Sequence, residues 1–218
     1  MSSGTASAEE PVDEASAEAD DAVGRKRAWS KPGERRVQIL QALAGMLEHP
    51  KGEKITTAAL AANIDVSEAA LYRHFASKAQ MYEGLIEFIE TTIFGLVNQI
   101  CAEQDDGVRQ AHAICTMLLR FSEQNRGMTR VLVGDALVGE HERLQVRINA
   151  VYDRLELALK QSLRVAVSQN SFAEGFDPAA RATLLMAVVA GSWLRFAKSG
   201  WQKSPIQGWD QQGVALFH

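Results

Sequence analysis

The residues best equipped for chemistry gather between positions 55 and 82, in ITTAALAANIDVSEAALYRHFASKAQMY. Thr56, Thr57 and Ser67 bring hydroxyls, Tyr72 a phenol, and Arg73, His74 and Lys78 cationic or polar nitrogens. They lie inside a net-positive module, which points to a charged partner. Their spacing predicts a short helix over Thr57 to Asn63, a tight turn through Asp65 and Val66, and a second short helix from Ser67 to Arg73, closing near Phe75. Ser67 reads as the N-cap of that second helix. A helix of this length, about 10 Å at 1.5 Å per residue, fits the major groove of DNA. Ala69 and Ala70 are small enough to let its backbone approach the base edges, and Leu71 and Phe75 are spaced to anchor it from behind. The physical reading is a helix-turn-helix.

LYRHF followed by SK, with Thr56 and Thr57 at the start of the preceding helix, resembles the signature of the TetR family of dimeric DNA-binding regulators. The resemblance implies an all-α TetR-like fold, an N-terminal three-helix DNA-binding domain with a C-terminal helical dimerisation domain. It implies phosphate contacts at Thr56, Tyr72, His74 and Lys78, with Thr57 beside them at the helix start. Ser67, Glu68, Ala69, Ala70 and Arg73 stand where base or nearby backbone contacts are made. Phosphate contacts position and base contacts specify.

Further segments narrow the resemblance. ERRVQILQALAGMLE at 34–48, LIEFIETTIFGLV at 85–97, NRGMTRVLVG at 125–134 and EHERLQVRINAVYDRLELALKQ at 140–161 resemble the nucleoid-occlusion branch of that family. This implies a cytoplasmic, nucleoid-associated homodimer on palindromic double-stranded DNA, with one dimer or more per site and no cofactor. It implies inhibition of cell division through the C-terminal tail of the tubulin-like protein FtsZ, and matches Phe88, Asn125 and Met128 to the groove for that tail. On a helical wheel Phe88 lies about 80° from the centre of the stripe through Leu85, Ile89 and Leu96. That is the flank of a buried face, where a peptide groove opens. The helix expected over 178–199 is the candidate dimer seam: Leu184, Val188, Trp193 and Leu194 supply area, and Ala187, Ala190, Gly191 and Ser192 permit close approach. A helix apolar all round also suits a central core position.

The remaining elements must position these residues. Val37, Leu40, Leu43, Ala44 and Leu47 predict a helix from Glu34, with Trp29, Pro32 and Gly33 interrupting the stretch before it and Pro50 and Gly52 ending it. Ser77 caps a long helix with a stripe of Met81, Leu85, Ile89, Leu96 and Ile100, which Gly107 separates from a helix through Val108, Ile114, Leu118 and Phe121. A loop over residues 124–127, a short apolar helix over 128–138 and a long helix through Leu144, Ile148, Val151 and Leu155 follow. Asp177-Pro178 starts the helix of the seam, and a last short helix runs from Ile206 toward the C-terminus. No alternating strand pattern appears.

Charge divides the chain the same way. Residues 1–23 carry −7, residues 24–80 carry +5 and residues 81–218 carry −2, so the net −4 conceals a basic module. The expected organisation is a disordered acidic tail (1–23), a basic arm (24–33), the helix-turn-helix domain (34–80) and a helical dimerisation and partner-binding domain (81–218). The longest apolar run, Leu184 to Gly191, is far below the roughly 20 residues of a membrane span, and the acidic N-terminus has no signal-peptide core. Cys101 and Cys115 form neither a disulfide framework nor a zinc spacing and read as two small hydrophobes. GxGxxG, P-loop and HExxH motifs are missing, and Glu140-His141-Glu142 reads as a solvated helix start, so an enzyme is not expected. The second functional reading is a ligand-responsive repressor of the TetR type, with an enclosed apolar cavity among residues 77–165.

Overall fold

The computed structural model describes residues 32–49 and 55–217. The acidic tail, nearly all of the basic arm and the Pro50–Gly52 break lie outside the described residues. Within them the chain is helical with no strand. The elements are α1 (Pro32–Leu47), α2 (Thr57–Asn63), α3 (Glu68–Tyr72), α4 (Lys78–Glu103), α5 (Gly107–Gln124), α6 (Arg126–Leu132), a single 3-10 turn (Asp135–Leu137), α7 (Glu142–Ser168), α8 (Pro178–Lys198) and α9 (Trp209–Phe217).

The starts of these helices follow from local chemistry. Side chains of Thr56, Ser67, Ser77, Asp106 and Asp177 accept hydrogen bonds from the backbone N–H groups of Ala59, Ala70, Gln80, Arg109 and Ala179, at the N-termini of α2, α3, α4, α5 and α8. Several boundaries differ from the sequence expectation. Pro32 and Gly33 open α1 rather than interrupt it, because proline fits a first turn whose N–H groups lack partners. The recognition helix α3 ends at Tyr72, short of Phe75. Gly107 is the first residue of α5, where a Cβ would lie 2.2 Å from the Ala166 nitrogen of α7. The expected loop over 124–127 shrinks to Asn125 alone, which caps α5 before α6 begins. The helix expected over 128–138 stops at Leu132, and Gly134 at φ 81° turns the chain into the 3-10 turn.

One continuous hydrophobic cluster joins the helix-turn-helix to the body, from Ile39 and Leu43 through Leu60, Leu71 and Phe75 to Ile89, Leu118, Leu155 and Val189. The domain boundary suggested after residue 80 therefore falls inside α4, which serves both parts. The buried stripe of α4 also drifts. Ile93 and Val97 are buried, while Leu96, expected in the stripe, is exposed. The α-helical period of 3.6 residues carries a straight row of positions off the contact line within a few turns.

Both α4 and α8 reach the length and composition of a membrane span, which the longest apolar run understated. One face of each is buried, Leu85, Ile86, Ile89 and Ile93 on α4 and Leu185, Val189, Trp193 and Phe196 on α8, while Phe88 and Leu96 on α4 and Leu184 and Leu194 on α8 remain exposed.

The two cysteines part company. Cys115 is buried in the core, as a small hydrophobe, but Cys101 is exposed. Burial pushes the Cys115 thiol from 9.0 up to about 12. An aromatic disulfide reagent at pH 8 is expected to titrate one thiol in the native protein and the second only on unfolding. Because the folded value lies above the unfolded one, burial of Cys115 contributes fully below pH 9 and its contribution falls as pH rises toward 12. Tyr82 and Tyr152, also pushed up to about 12 mainly by burial, act in the same direction. Denaturant midpoints measured across pH 8–11 should fall, and a rising midpoint would contradict this.

Candidate DNA interface and partner groove

The helix-turn-helix is held from behind by α1. Leu71 and Phe75 are buried, as their spacing predicted. Arg36 lies over the Phe75 ring at 4.1 Å and donates to the His74 carbonyl at 3.0 Å, fixing the end of the recognition segment. Sequence reasoning placed Arg36 only in a basic run; its structural partner is 38 residues away. The outer face of α3 presents Glu68, Ala69, Tyr72 and Arg73 to solvent, Tyr72 at 46% exposure. A tyrosine this exposed on a short helix is suited to an outside partner.

Thr56, Thr57 and Lys78 converge on one shallow recess between α1, the start of α2 and the start of α4. Thr56 uses an oxygen lone pair to cap α2, leaving its O–H to donate outward. Thr57 donates to the Glu68 carboxylate at 2.6 Å, which ties α2 to the first residue of the recognition helix. Lys78 departs from expectation. Its ammonium is paired with Glu140, from the segment before α7, and stands 5.6 Å from the Tyr82 ring. Glu140 is thus drawn into a contact rather than solvated, and beside it His141 caps α7. Burial pushes the Tyr82 phenol up to about 12, and the Glu140 charge adds to that.

Of the three residues matched to a partner groove, the structure unites two. Phe88, 40% exposed, and Met128 line one apolar recess with Val37, Leu40, Gln41 and Leu85, where α1, α4 and α6 meet. Asn125 is not in its lining; its amide N–H donates to the Phe121 carbonyl at 2.8 Å and caps α5. Further along α4 an open, mostly apolar groove of about 520 Å³ runs against α5, walled by Leu96, Ile100, Met117 and Phe121 with Arg120 and Gln124 at its edge. Phe88 and Leu96 are eight residues apart, about 12 Å along the helix. The second groove was missed because Leu96 had been assigned to the core stripe.

The candidate seam on α8 splits in two. Leu184, Ala187, Gly191 and Leu194 are exposed, with Val188 half-buried, at alternating spacings of three and four. Trp193 and Ser192, expected in the seam, face inward. Trp193 is fully buried, donates to the Leu118 carbonyl at 3.1 Å and meets Tyr152 edge-on, so it offers a partner no area.

A helical head that presents a short recognition helix, carried on a larger helical body, defines a DNA-binding regulator of the TetR class. Residues 52–85 match the model of bacterial regulatory proteins of the tetR family, and residues 105–218 match the SlmA-like model described as tetracyclin repressor-like, C-terminal domain. The chain is 47% identical over 187 residues to nucleoid occlusion factor SlmA of Marinomonas sp. (strain MWYL1), covering 86% of this chain and 95% of that one. It is 46% identical to the protein of that name from Alteromonas mediterranea, over 85% and 95% of the two chains. The chain belongs to the nucleoid occlusion factor SlmA family. Among solved structures, the fatty acid degradation regulator FadR from Bacillus halodurans shares the fold, with a TM-score of 0.71 at 14% identity over 86% of this chain and 97% of that one.

Proposed function

We propose that this protein is a homodimeric, sequence-specific DNA-binding nucleoid-occlusion factor, which inhibits FtsZ ring assembly over the chromosome by holding the FtsZ C-terminal tail along α4. The observation that carries the partner reading is the meeting of Phe88 and Met128, 40 residues apart, in one small apolar recess; a separate open groove lies further along α4 against α5. An extended or helical peptide laying apolar side chains into such a groove is a common recognition mode. DNA concentrates and orients the dimers, which engage palindromic sites because protein two-fold symmetry mirrors that of the site; more than one dimer per site is compatible with this. Thr56, Tyr72, His74 and Lys78 hold phosphates, Lys78 by exchanging Glu140 for DNA, while Ser67, Glu68, Ala69, Ala70 and Arg73 face the bases.

Thr56→Ala or Tyr72→Ala should weaken binding to every duplex alike, whatever its sequence, with the salt slope unchanged because neither side chain carries charge. Phe88→Ala should leave DNA binding intact and weaken binding of an FtsZ tail peptide by about 2 kcal/mol, roughly thirty-fold. Co-sedimentation of FtsZ polymers with DNA-bound protein checks the consequence: equal polymer mass and length with wild type and Phe88→Ala would overturn the partner reading.

A further inference from the structure

On a different part of the head from the Thr56, Thr57 and Lys78 recess lies a second hollow, of about 390 Å³, between the first half of α1, the α2–α3 turn and α3. The two linings share no residue. Arg35, Arg73 and His74 converge on the second hollow with the Ser67 hydroxyl, and Ile39, Ile64 and Val66 make an apolar floor. No carboxylate is among its described lining residues. The Arg35 guanidinium donates to the neutral side-chain amide oxygen of Gln38 at 3.0 Å, which leaves most of its five N–H groups free to donate elsewhere. Positive groups in a recess with low-dielectric walls focus their field on whatever enters it.

We propose that this hollow is a second phosphate seat, in which Arg35, beside His74, grips a phosphate group and the apolar floor accepts the sugar or other organic part attached to it. The proposal rests on the DNA-binding reading above and extends it. A helix lying in a major groove about 12 Å wide meets a phosphate wall on each side. Thr56 and Lys78, at the starts of α2 and α4, serve one wall in the reading above, and the Arg35 hollow between α1 and α3 serves the other. The volume exceeds that of one phosphate group, so the same chemistry also suits a free nucleotide, and the test has to separate the two sources.

The decisive variant is Arg35→Gln, which keeps α1 helical, with Arg109→Gln on the body as a control for lost charge. Affinity for a labelled random-sequence 24-base-pair duplex is measured from 50 to 200 mM salt, and thermal midpoints are measured with and without AMP at constant ionic strength. If the seat takes a DNA phosphate, Arg35→Gln weakens duplex binding three- to ten-fold and lowers the salt slope by about 0.9, while Arg109→Gln changes neither. If it takes a free phosphate compound, AMP raises the midpoint of the wild type but not of Arg35→Gln, and the salt slope stays put. An unchanged slope with no AMP effect overturns the seat while leaving the DNA reading intact. That reading fails by a different sign, a wild-type protein with no salt-dependent duplex binding.

Discussion

Gly127→Ala is expected to destabilise the protein by about 3 kcal/mol or more. A Cβ at this position would lie 1.9 Å from the Ala44 carbonyl oxygen and 2.8 Å from its carbon. Both are backbone atoms of α1, so no side-chain rotation relieves the clash; α1 and α6 must separate. They are joined elsewhere by Arg130, whose guanidinium donates to the carbonyls of Leu47 and His49 at 3.3 and 3.1 Å and caps the end of α1. It also pairs with Asp135. At about 2–4 °C per kcal/mol for a chain of this size, the thermal midpoint should fall by roughly 6–12 °C. Duplex affinity should fall as well, because α1 carries the recognition helix through Phe75 and Arg36. Gly45→Ala is the control on the same helix: nothing lies within 4 Å of its Cβ, and a helical glycine replaced by alanine gains about 0.5–1 kcal/mol. A Gly127→Ala midpoint within 2 °C of wild type would show that the α1–α6 approach is not constrained as described.

Trp193→Ala and Leu194→Glu, one residue apart, are expected to fail in different ways. Trp193 fills the core between α5, α7 and α8, and its truncation should cost about 3–5 kcal/mol. The loss should be visible as a much lower denaturant midpoint and a loss of soluble protein. Leu194 is 40% exposed on the outer stripe with Leu184 at 48%, so a charge there leaves the protomer core intact. It should instead shift sedimentation from dimer to monomer and weaken binding to palindromic DNA, where both heads must engage at once. Loss of the protomer fold in Leu194→Glu together with an unaffected Trp193→Ala would invert the assignment of the two faces.

The same residues show where sequence reading reaches its limit. Helix starts were legible at Thr56, Ser67, Ser77 and Asp177, because a cap is a bond between a side chain and an N–H two or three residues on. The helix-turn-helix was legible for a related reason: its two short helices, turn and anchors Leu71 and Phe75 are set by spacing within about twenty residues. The ends of elements were read less well. Pro32 reads in sequence as an interruption and residues 124–127 as a loop, because the bounds of both depend on what packs alongside.

What determined itself locally, then, was the class of element, the recognition motif and the charge of the module that meets DNA. The tertiary structure alone decided that Trp193 points inward and Leu194 outward, since an all-apolar helix has no pattern to mark its faces until neighbours cover one. It alone joined Phe88 to Met128 and Arg35 to Arg73 and His74, and turned Lys78 toward Glu140, 62 residues on. Such pairings arise where helices cross, and crossings are set by the fit of whole side-chain surfaces rather than by the spacing along any one of them.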